Sequence, residues 1–366
     1  MKPHLPPSGV VSRAASIWTA GARVRASLYR AGLLRQRSLR ASVISIGNIS
    51  WGGTGKTPFT IWLARRLQAV GLRVSILTRG YGRTSGERVK IHAPGAAPQS
   101  AREDGDEVQL YLRHLNLPVG ISSSRYEAGK LLEDNFSVDV HLLDDGFQHL
   151  TIARNLDIVL IDAANPWGSR RGLPVFLREG FSSLRRADLV LLTRCELASE
   201  TATSSAAIES LKATVDSYNQ DIPIYLVRTE LIRFVDFQTG KPLRVEECRT
   251  RHPLAFCALG NPQNFFRMLE HASINAVAKK VFRDHHGYEV NDLRMLAAEA
   301  LERRADCFIT TEKDSVNFPS NVNMALPLYW AEIEQMVEKE ERVMSWILDQ
   351  LPLSPAVGCR SSHSDS

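Results

Sequence analysis

No aspartate or glutamate precedes Glu87 in this 366-residue chain, and every charged residue from Met1 to Arg40 is basic, so the net charge of +5 is unevenly placed. Cysteine is scarce too. Cys195, Cys248, Cys257, Cys307 and Cys359 stand apart with no Cys-x-x-Cys or Cys-x-x-His spacing. That argues against a disulfide framework or zinc site and suits a reducing compartment. No run of about 18 apolar residues occurs, which excludes a bilayer-spanning helix, and arginines interrupt the apolar core that a cleavable signal peptide needs. No internal repeat is seen. What remains, 44% apolar and 23% charged residues, is ordinary for a globular chain long enough for two domains.

Within the carboxylate-free arm, Ser16 to Leu34 can form a helix. Ile17, Val24 and Leu28 share one face with Trp18, Tyr29 and Leu33 beside it, and Arg23, Arg30 and Arg37 recur on the other side. A basic amphipathic helix with interfacial aromatics reads as a surface anchor for an anionic membrane. A helix packing its stripe on the domain is the plainer alternative. A nucleic-acid contact would interleave aromatics in a groove-like patch, whereas Trp18 and Tyr29 flank the apolar stripe.

The most informative stretch is Ser45-Ile46-Gly47-Asn48-Ile49-Ser50-Trp51-Gly52-Gly53-Thr54-Gly55-Lys56-Thr57-Pro58. An apolar strand from Ala41 leads into a glycine-rich turn, and Lys-Thr opens a helix carrying Ile61, Leu63, Ala64 and Leu67. This is the layout of a phosphate-binding loop. Its backbone N–H groups wrap phosphates, Lys56 reaches the β/γ oxygens, and the Thr57 hydroxyl suits Mg2+. The general pattern has glycine where this chain has Ser50.

Strand-like runs follow at Arg73 to Leu77, Val138 to Leu143, Leu156 to Ile161 and Leu189 to Thr193, with helices over Glu107 to His114 and Arg125 to Leu132. This alternation indicates a doubly wound, mostly parallel α/β sheet of the P-loop NTPase type, with function at the carboxyl ends of its strands. A boundary is expected between Val227 and Arg249. Beyond it, Leu254 to Ala258, Ala276 to Phe282, Cys307 to Thr310 and Leu326 to Ala331 suggest a smaller α/β unit. The expected organisation is therefore a basic helix over 1–40, a kinase-type domain over 41–235, a second unit over 236–353 and a polar tail over 354–366.

Asp144 and Asp145 follow a strand of the kind that lies beside the phosphate-loop strand, where a carboxylate can hold Mg2+ opposite Thr57. Gly105-Asp106-Glu107 opens a helix, where acids are common as caps, so capping competes with catalysis. Asp284-His285-His286 suggests metal or acid/base work, although an exposed or core histidine is the plainer reading. Arg79, Arg83, Arg125, Arg170, Arg171 and Arg178 fall in loops or helix starts at the same sheet end and suit phosphate-bearing ligands.

Taken in order, the phosphate loop, Arg79-Gly80-Tyr81-Gly82, Gly105-Asp106-Glu107, Asp144-Asp145-Gly146-Phe147-Gln148-His149, Leu177-Arg178-Glu179, Asp284-His285-His286 and Thr310-Thr311-Glu312-Lys313-Asp314 resemble the tetraacyldisaccharide 4'-kinase family. That family phosphorylates the lipid A precursor of Gram-negative bacteria and does not use glycine at the first loop position. The segment Ser169 to Gly180 departs from the family's Asn-Gly-Arg-Leu-Leu-Pro-Ala-Gly-Pro-Leu-Arg-Glu-Pro, which leaves Ser169 and Arg170 without a role.

The resemblance implies ATP and Mg2+ as cofactors and a tetraacyldisaccharide 1-phosphate as acceptor. Asp106 and His285 would form a dyad that takes the proton of the 4'-hydroxyl, brought together by a closure of the second unit. Lys56 would stabilise the γ-phosphate. Gly52, Gly53, Thr54, Gly55, Lys56, Thr57, Gln148 and Arg178 would bind the nucleotide, and Thr57, Asp144 or Asp145, and Glu179 would hold the metal. Glu107, Arg125, Gln148, His149 and Arg178 are further candidates for orienting metal, nucleotide or acceptor. The basic helix would bring the enzyme to the cytoplasmic face of the inner membrane, with neither a nucleic acid nor an obligate protein partner implied. One rival is a P-loop GTPase switch: Thr193-Arg194-Cys195-Glu196 sits where such proteins read guanine through Asn/Thr-Lys-x-Asp. The missing DxxG after Asp144 counts against it.

Overall fold

The computed structural model describes residues 21, 24–168, 177–198, 203–319, 322 and 324–352. Its strands are β1 (Ser42–Asn48), β2 (Val74–Thr78), β3 (Val89–His92), β4 (Val119–Ser122), β5 (Val140–Asp144), β6 (Leu156–Asp162), β7 (Leu189–Thr193), β8 (Ile224–Asp236), β9 (Pro242–Leu243), β10 (Pro253–Cys257), β11 (Ala278–Val281), β12 (Cys307–Thr311) and β13 (Leu328–Val337). Together they form one 13-stranded sheet in the order β11-β10-β12-β13-β8-β7-β6-β1-β5-β2-β4-β3, with β9 beside β8.

Pairing is parallel except at β3/β4, β8/β9 and β8/β13. The central strands are continuous β-branched and leucine runs buried on both faces, as crossover helices require. Helices Lys56–Ala69 and Asp106–His114 enclose one core with Ile44, Ile46 and Ile158. Helix Thr203–Asp216 and the turn Phe181–Arg186 cover the opposite face, and helices Pro262–His271 and Val290–Glu302 flank the second unit.

Two strands join the units. β8 pairs with β7 through Ile224–Val227 and then runs on as a long antiparallel ribbon with β13, from Val227↔Val337 to Asp236↔Tyr329. The region expected as a boundary is thus partly a 13-residue strand. β13 returns the chain to the first unit, where Val343, Met344 and Ile347 of helix Glu340–Asp349 join Phe59 and Leu63 in one core. The packing of the last helix therefore lies with the first unit, because its apolar face has its complement there.

The basic arm is described only from residue 21 onward, with helix over 24–30. It ends earlier than the expected Leu34 because Gly32 adopts φ 71°, and the Leu33 N–H returns to the Leu28 carbonyl at 3.0 Å. Val24 and Leu33 are exposed, Ala26 is buried and Arg37 lies beyond the helix. Ile17, Trp18, Arg23 and the 354–366 tail lie outside the described residues. None of the described helices is long and apolar enough to cross a membrane.

Candidate active site

The sheet gathers its functional side chains along a cleft of about 1780 Å³ at the carboxyl ends of β1, β2, β5 and β7. The phosphate loop leaves β1 with Gly52 at φ 110° and Gly55 at φ 86°, and Lys56 and Thr57 open the following helix. Gly52, Gly53, Thr54, Gly55, Lys56 and Thr57 all line the cleft. Ser50 pairs antiparallel with Leu177, and the backbone N–H groups of Arg178 and Glu179 donate to the Ile49 carbonyl at 2.7 and 3.2 Å. The Arg178-Glu179 segment is thereby fixed to the loop it was expected to assist.

β5 lies directly beside β1, so Asp144 and Asp145 reach the loop. A Cβ on Gly47 would come within 2.4 Å of the Phe147 Cβ, which shows how closely the turn after β5 rests on β1. The Lys56 ammonium lies 3.3 Å from Asp145, and Arg178 donates to both Asp145 oxygens at 2.7 Å. Burial alone would raise the Asp145 carboxyl, but Lys56 and Arg178 outweigh it and hold it well below the usual range.

Asp144 behaves oppositely. Burial pushes its carboxyl up and the neighbouring Asp145 charge adds to this, while Lys56 opposes. The Thr78 hydroxyl donates to it at 3.2 Å. The buried Tyr111 phenol is raised by burial and by nearby Asp144. Asp144, Asp145 and Thr57 line the same cleft, and a carboxylate pair with a hydroxyl is a donor set that fits a hard divalent cation. Glu179 lines the same cleft, and Arg186 donates to its two oxygens at 2.8 and 3.2 Å while stacking on Phe147.

Asp106 is buried at the start of its helix, and His285 donates from Nδ1 to its Oδ2 at 2.8 Å. The two groups are thus in contact in this structure, so no further swing is needed to join them. His285 reaches inward from a left-handed residue (φ 59°) and packs on Tyr81 at 4.9 Å between ring centroids. His286 turns away, bonding Asp292 at 2.8 Å and stacking on Phe282.

Lys313, a residue given no role from the sequence beyond its motif, completes the cluster. Its Nζ lies 3.4 Å from Asp106 and 3.0 Å from Glu107. Burial raises the Asp106 carboxyl, but Lys313, then the bond with Glu107 and His285, hold it well below its ordinary value. Glu107 moves up, since its burial and the Asp106 charge exceed the pull of Lys313. Burial opposes the His285 proton, but the bond to Asp106 raises its pKa. Asp106, Glu107 and His285 have metal-ligand spacing, but Lys313 already supplies the cation there.

Two glycines shape this corner. A Cβ on Gly80 would meet the Asp104 carbonyl at 2.5 Å, and one on Gly105 would meet the Tyr81 carbonyl at 2.9 Å. The Arg-Gly-Tyr-Gly and Gly-Asp-Glu segments therefore pack backbone to backbone.

Of the expected arginines, Arg79, Arg125 and Arg178 line the cleft. Arg83 does not join them, because it turns to the Glu87 carbonyl at 2.8 Å. Arg170 and Arg171 lie outside the described residues. Burial lowers the Arg125 guanidinium, with Asp144 and Asp145 opposing, and burial together with Arg125 drives His149 down to about 4, leaving that ring neutral. Gln148 donates to the Asn48 carbonyl at 2.9 Å, underpinning the loop from its flank.

Residues 10–352 match the family described as Tetraacyldisaccharide-1-P 4'-kinase. Among similar proteins, the tetraacyldisaccharide 4'-kinase of Halothermothrix orenii is 35% identical over 81% of this chain and 79% of its own. That of Geobacter sulfurreducens is 36% identical over 95% of this chain and 90% of its own. The crystal structure of LpxK from Aquifex aeolicus in complex with ATP superposes with a TM-score of 0.67 at 26% identity, covering 92% of this chain and 96% of that one. These likenesses set aside the GTPase alternative. The chain belongs to the tetraacyldisaccharide-1-P 4'-kinase family, whose reaction, ATP- and Mg2+-dependent phosphorylation of a lipid A precursor at its 4'-hydroxyl, it carries out.

Proposed function

We propose that Asp106 and His285 form the general base of this transfer, Lys56 steadies the γ-phosphate, and Thr57 with Asp144 and Asp145 holds Mg2+. The observation that carries this reading is the 2.8 Å contact between His285 and an Asp106 kept ionised by Lys313. Bound Mg2+ would neutralise charge on the β- and γ-phosphates. Asp106 orients the imidazole and balances its charge. His285, partly open to the cleft, faces the acceptor hydroxyl and receives its proton. Little proton transfer is needed in a loose phosphoryl-transfer transition state, so positioning and charge neutralisation supply most of the rate.

Lys56 and Arg178 already converge on Asp145. A triphosphate would draw these cations off Asp145, freeing that carboxylate for the metal. Glu179 would act through Arg186, holding the Arg178 segment against the loop.

The arm around 24–34 places exposed Val24 and Leu33 near Arg25, which lines the cleft. This supports docking on the anionic cytoplasmic face of the inner membrane, where a four-chain acceptor resides. The test is transfer of label from γ-labelled ATP to tetraacyldisaccharide 1-phosphate in detergent, with Asp106→Ala and Lys56→Ala alongside. Labelled lipid should fall steeply in both variants. Undiminished transfer by Asp106→Ala would remove the dyad.

A further inference from the structure

His285 and Lys313 meet at one atom. The His285 Nδ1 and the Lys313 ammonium both lie against Asp106 Oδ2, at 2.8 and 3.4 Å. When the imidazole takes up a proton, two like charges stand side by side, and Lys313 opposes that proton. Neither residue has a long element to steady it. Lys313 lies in a four-residue helix, Glu312–Ser315, and His285, at φ 59°, lies in the loop between β11 and helix Val290–Glu302.

A buried carboxyl ties the two segments together. Asp314, the residue after Lys313, is 1% exposed, and its Oδ1 accepts the Tyr288 hydroxyl and the Ala258 N–H, each at 2.9 Å. Its Oδ2 accepts the Thr311 hydroxyl, whose oxygen accepts the Asp314 N–H at 3.1 Å and caps the short helix. These three donors are neutral; burial pushes the carboxyl up, and their bonds oppose it. Tyr288 stands three residues after His285, its ring packed on Phe318, Phe282 and Phe256 at 4.6, 5.1 and 5.7 Å between centroids. A second tie runs beside the first. The Tyr288 N–H donates to the Asn317 carbonyl at 3.1 Å, and Asn317 Nδ2 donates to the Lys313 carbonyl at 3.0 Å. Burying a carboxyl among neutral donors is costly, and what this one secures is the spacing of the two residues that share Asp106.

We propose that Asp314 and Tyr288 are positioning residues for the general base, holding His285 and Lys313 at a fixed separation so that both stay on Asp106 while the imidazole gains charge. Ala258 anchors the same carboxyl to the end of β10, which fastens the brace to the sheet. A reacting group misplaced by about 1 Å can lose on the order of 10²-fold in rate. This inference rests on Asp106 and His285 acting as the base.

The test measures kcat and KM for ATP by label transfer to the lipid in the wild type, Tyr288→Phe, His285→Ala and the double variant, with thermal melting of each. Tyr288→Phe keeps the buried ring and deletes one donor to Asp314. Its kcat should fall about tenfold with KM for ATP unchanged. In the His285→Ala background the same change should cost less than about twofold, because the brace acts through the imidazole. A loss of equal factor in both backgrounds is what a merely structural role gives, and it would overturn the assignment. So would an undiminished kcat in Tyr288→Phe, or a loss confined to KM. Should Tyr288→Phe not fold, Asn317→Ala, at a half-buried position, cuts the tie to the Lys313 carbonyl and should show the same non-additivity. His285→Ala with wild-type kcat would remove the base and the brace with it, whereas a large loss in His285→Ala with equal factors removes the brace alone.

Discussion

Replacing Lys313 with methionine removes a cation from between two carboxylates while keeping most of the side-chain volume. Its Nζ stands 3.4 Å from Asp106 and 3.0 Å from Glu107. A pair of unit charges at 3.4 Å and an effective dielectric of about 20 interacts by about 5 kcal/mol, an upper figure once relaxation is allowed. At about 1.4 kcal/mol per pH unit this corresponds to roughly three units. Burial raises the Asp106 carboxyl and Lys313 is the largest influence lowering it, but it starts so far below the usual carboxylate range that even this rise leaves it ionised above pH 5. The group that titrates in the assayed range is His285: burial opposes its proton, the bond to Asp106 raises its pKa, and Lys313 lowers it. Without Lys313 the imidazole holds its proton to higher pH, and the acid limb of kcat/KM should move upward. Lys313→Arg, which keeps the charge, should leave it nearly in place. The assay is label transfer to the lipid from pH 5 to 9, with thermal melting as a control for folding. A loss in Lys313→Met of equal size at every pH would refute the electrostatic argument and leave Lys313 a structural tie between the units.

Asp106→Asn and His285→Ala should each lower kcat by about 10²- to 10⁴-fold with little change in KM for ATP, measured by the same transfer. Chelation of Mg2+ should abolish transfer, and Asp144→Asn should raise the Mg2+ concentration needed for half-maximal rate. Gly80→Ala forces a Cβ to within 2.5 Å of the Asp104 carbonyl at φ +63° and should cost about 2 kcal/mol or more in denaturant unfolding. Burial raises Glu133, but bonds from His141 and the Ala41 N–H lower it to about 2. A carboxyl depressed on folding contributes stability above its unfolded pKa, and this is lost as pH falls through the folded value. Glu133→Gln should accordingly flatten the stability curve between about pH 5 and pH 2, read as melting temperature.

The nucleotide half of the site was legible because its logic is local. A strand, a glycine turn and Lys-Thr occupy consecutive residues, and an acidic pair ending an apolar run needs only one parallel neighbour to reach the loop. The cluster around Asp106 was not. Asp106, His285 and Lys313 come from three distant segments, and only the family resemblance joined two of them. Lys313 lay in a quoted motif without a role, because its meaning depends on two carboxylates contributed by another helix. β8 escaped notice because it alternates charged and apolar side chains with both ribbon faces partly open, so the Val227–Arg249 region resembles a linker. The partner of Glu179 was not foreseen either: Arg186 sits only seven residues ahead on a turn.

The return of β13 and helix Glu340–Asp349 to the first unit has a consequence for biosynthesis. Phe59 and Leu63 are made before the second unit, but the residues that seal them, Val343, Met344 and Ile347, emerge from the ribosome only after it. The nascent nucleotide-binding unit must wait, with that apolar face uncovered, while the whole second unit is translated. The second unit, whose parallel strands β10 to β12 are contiguous in sequence, can assemble meanwhile and carry β13 back to its place. Truncation just before residue 340 should therefore damage the first unit, although the whole second unit separates the missing segment from it along the chain.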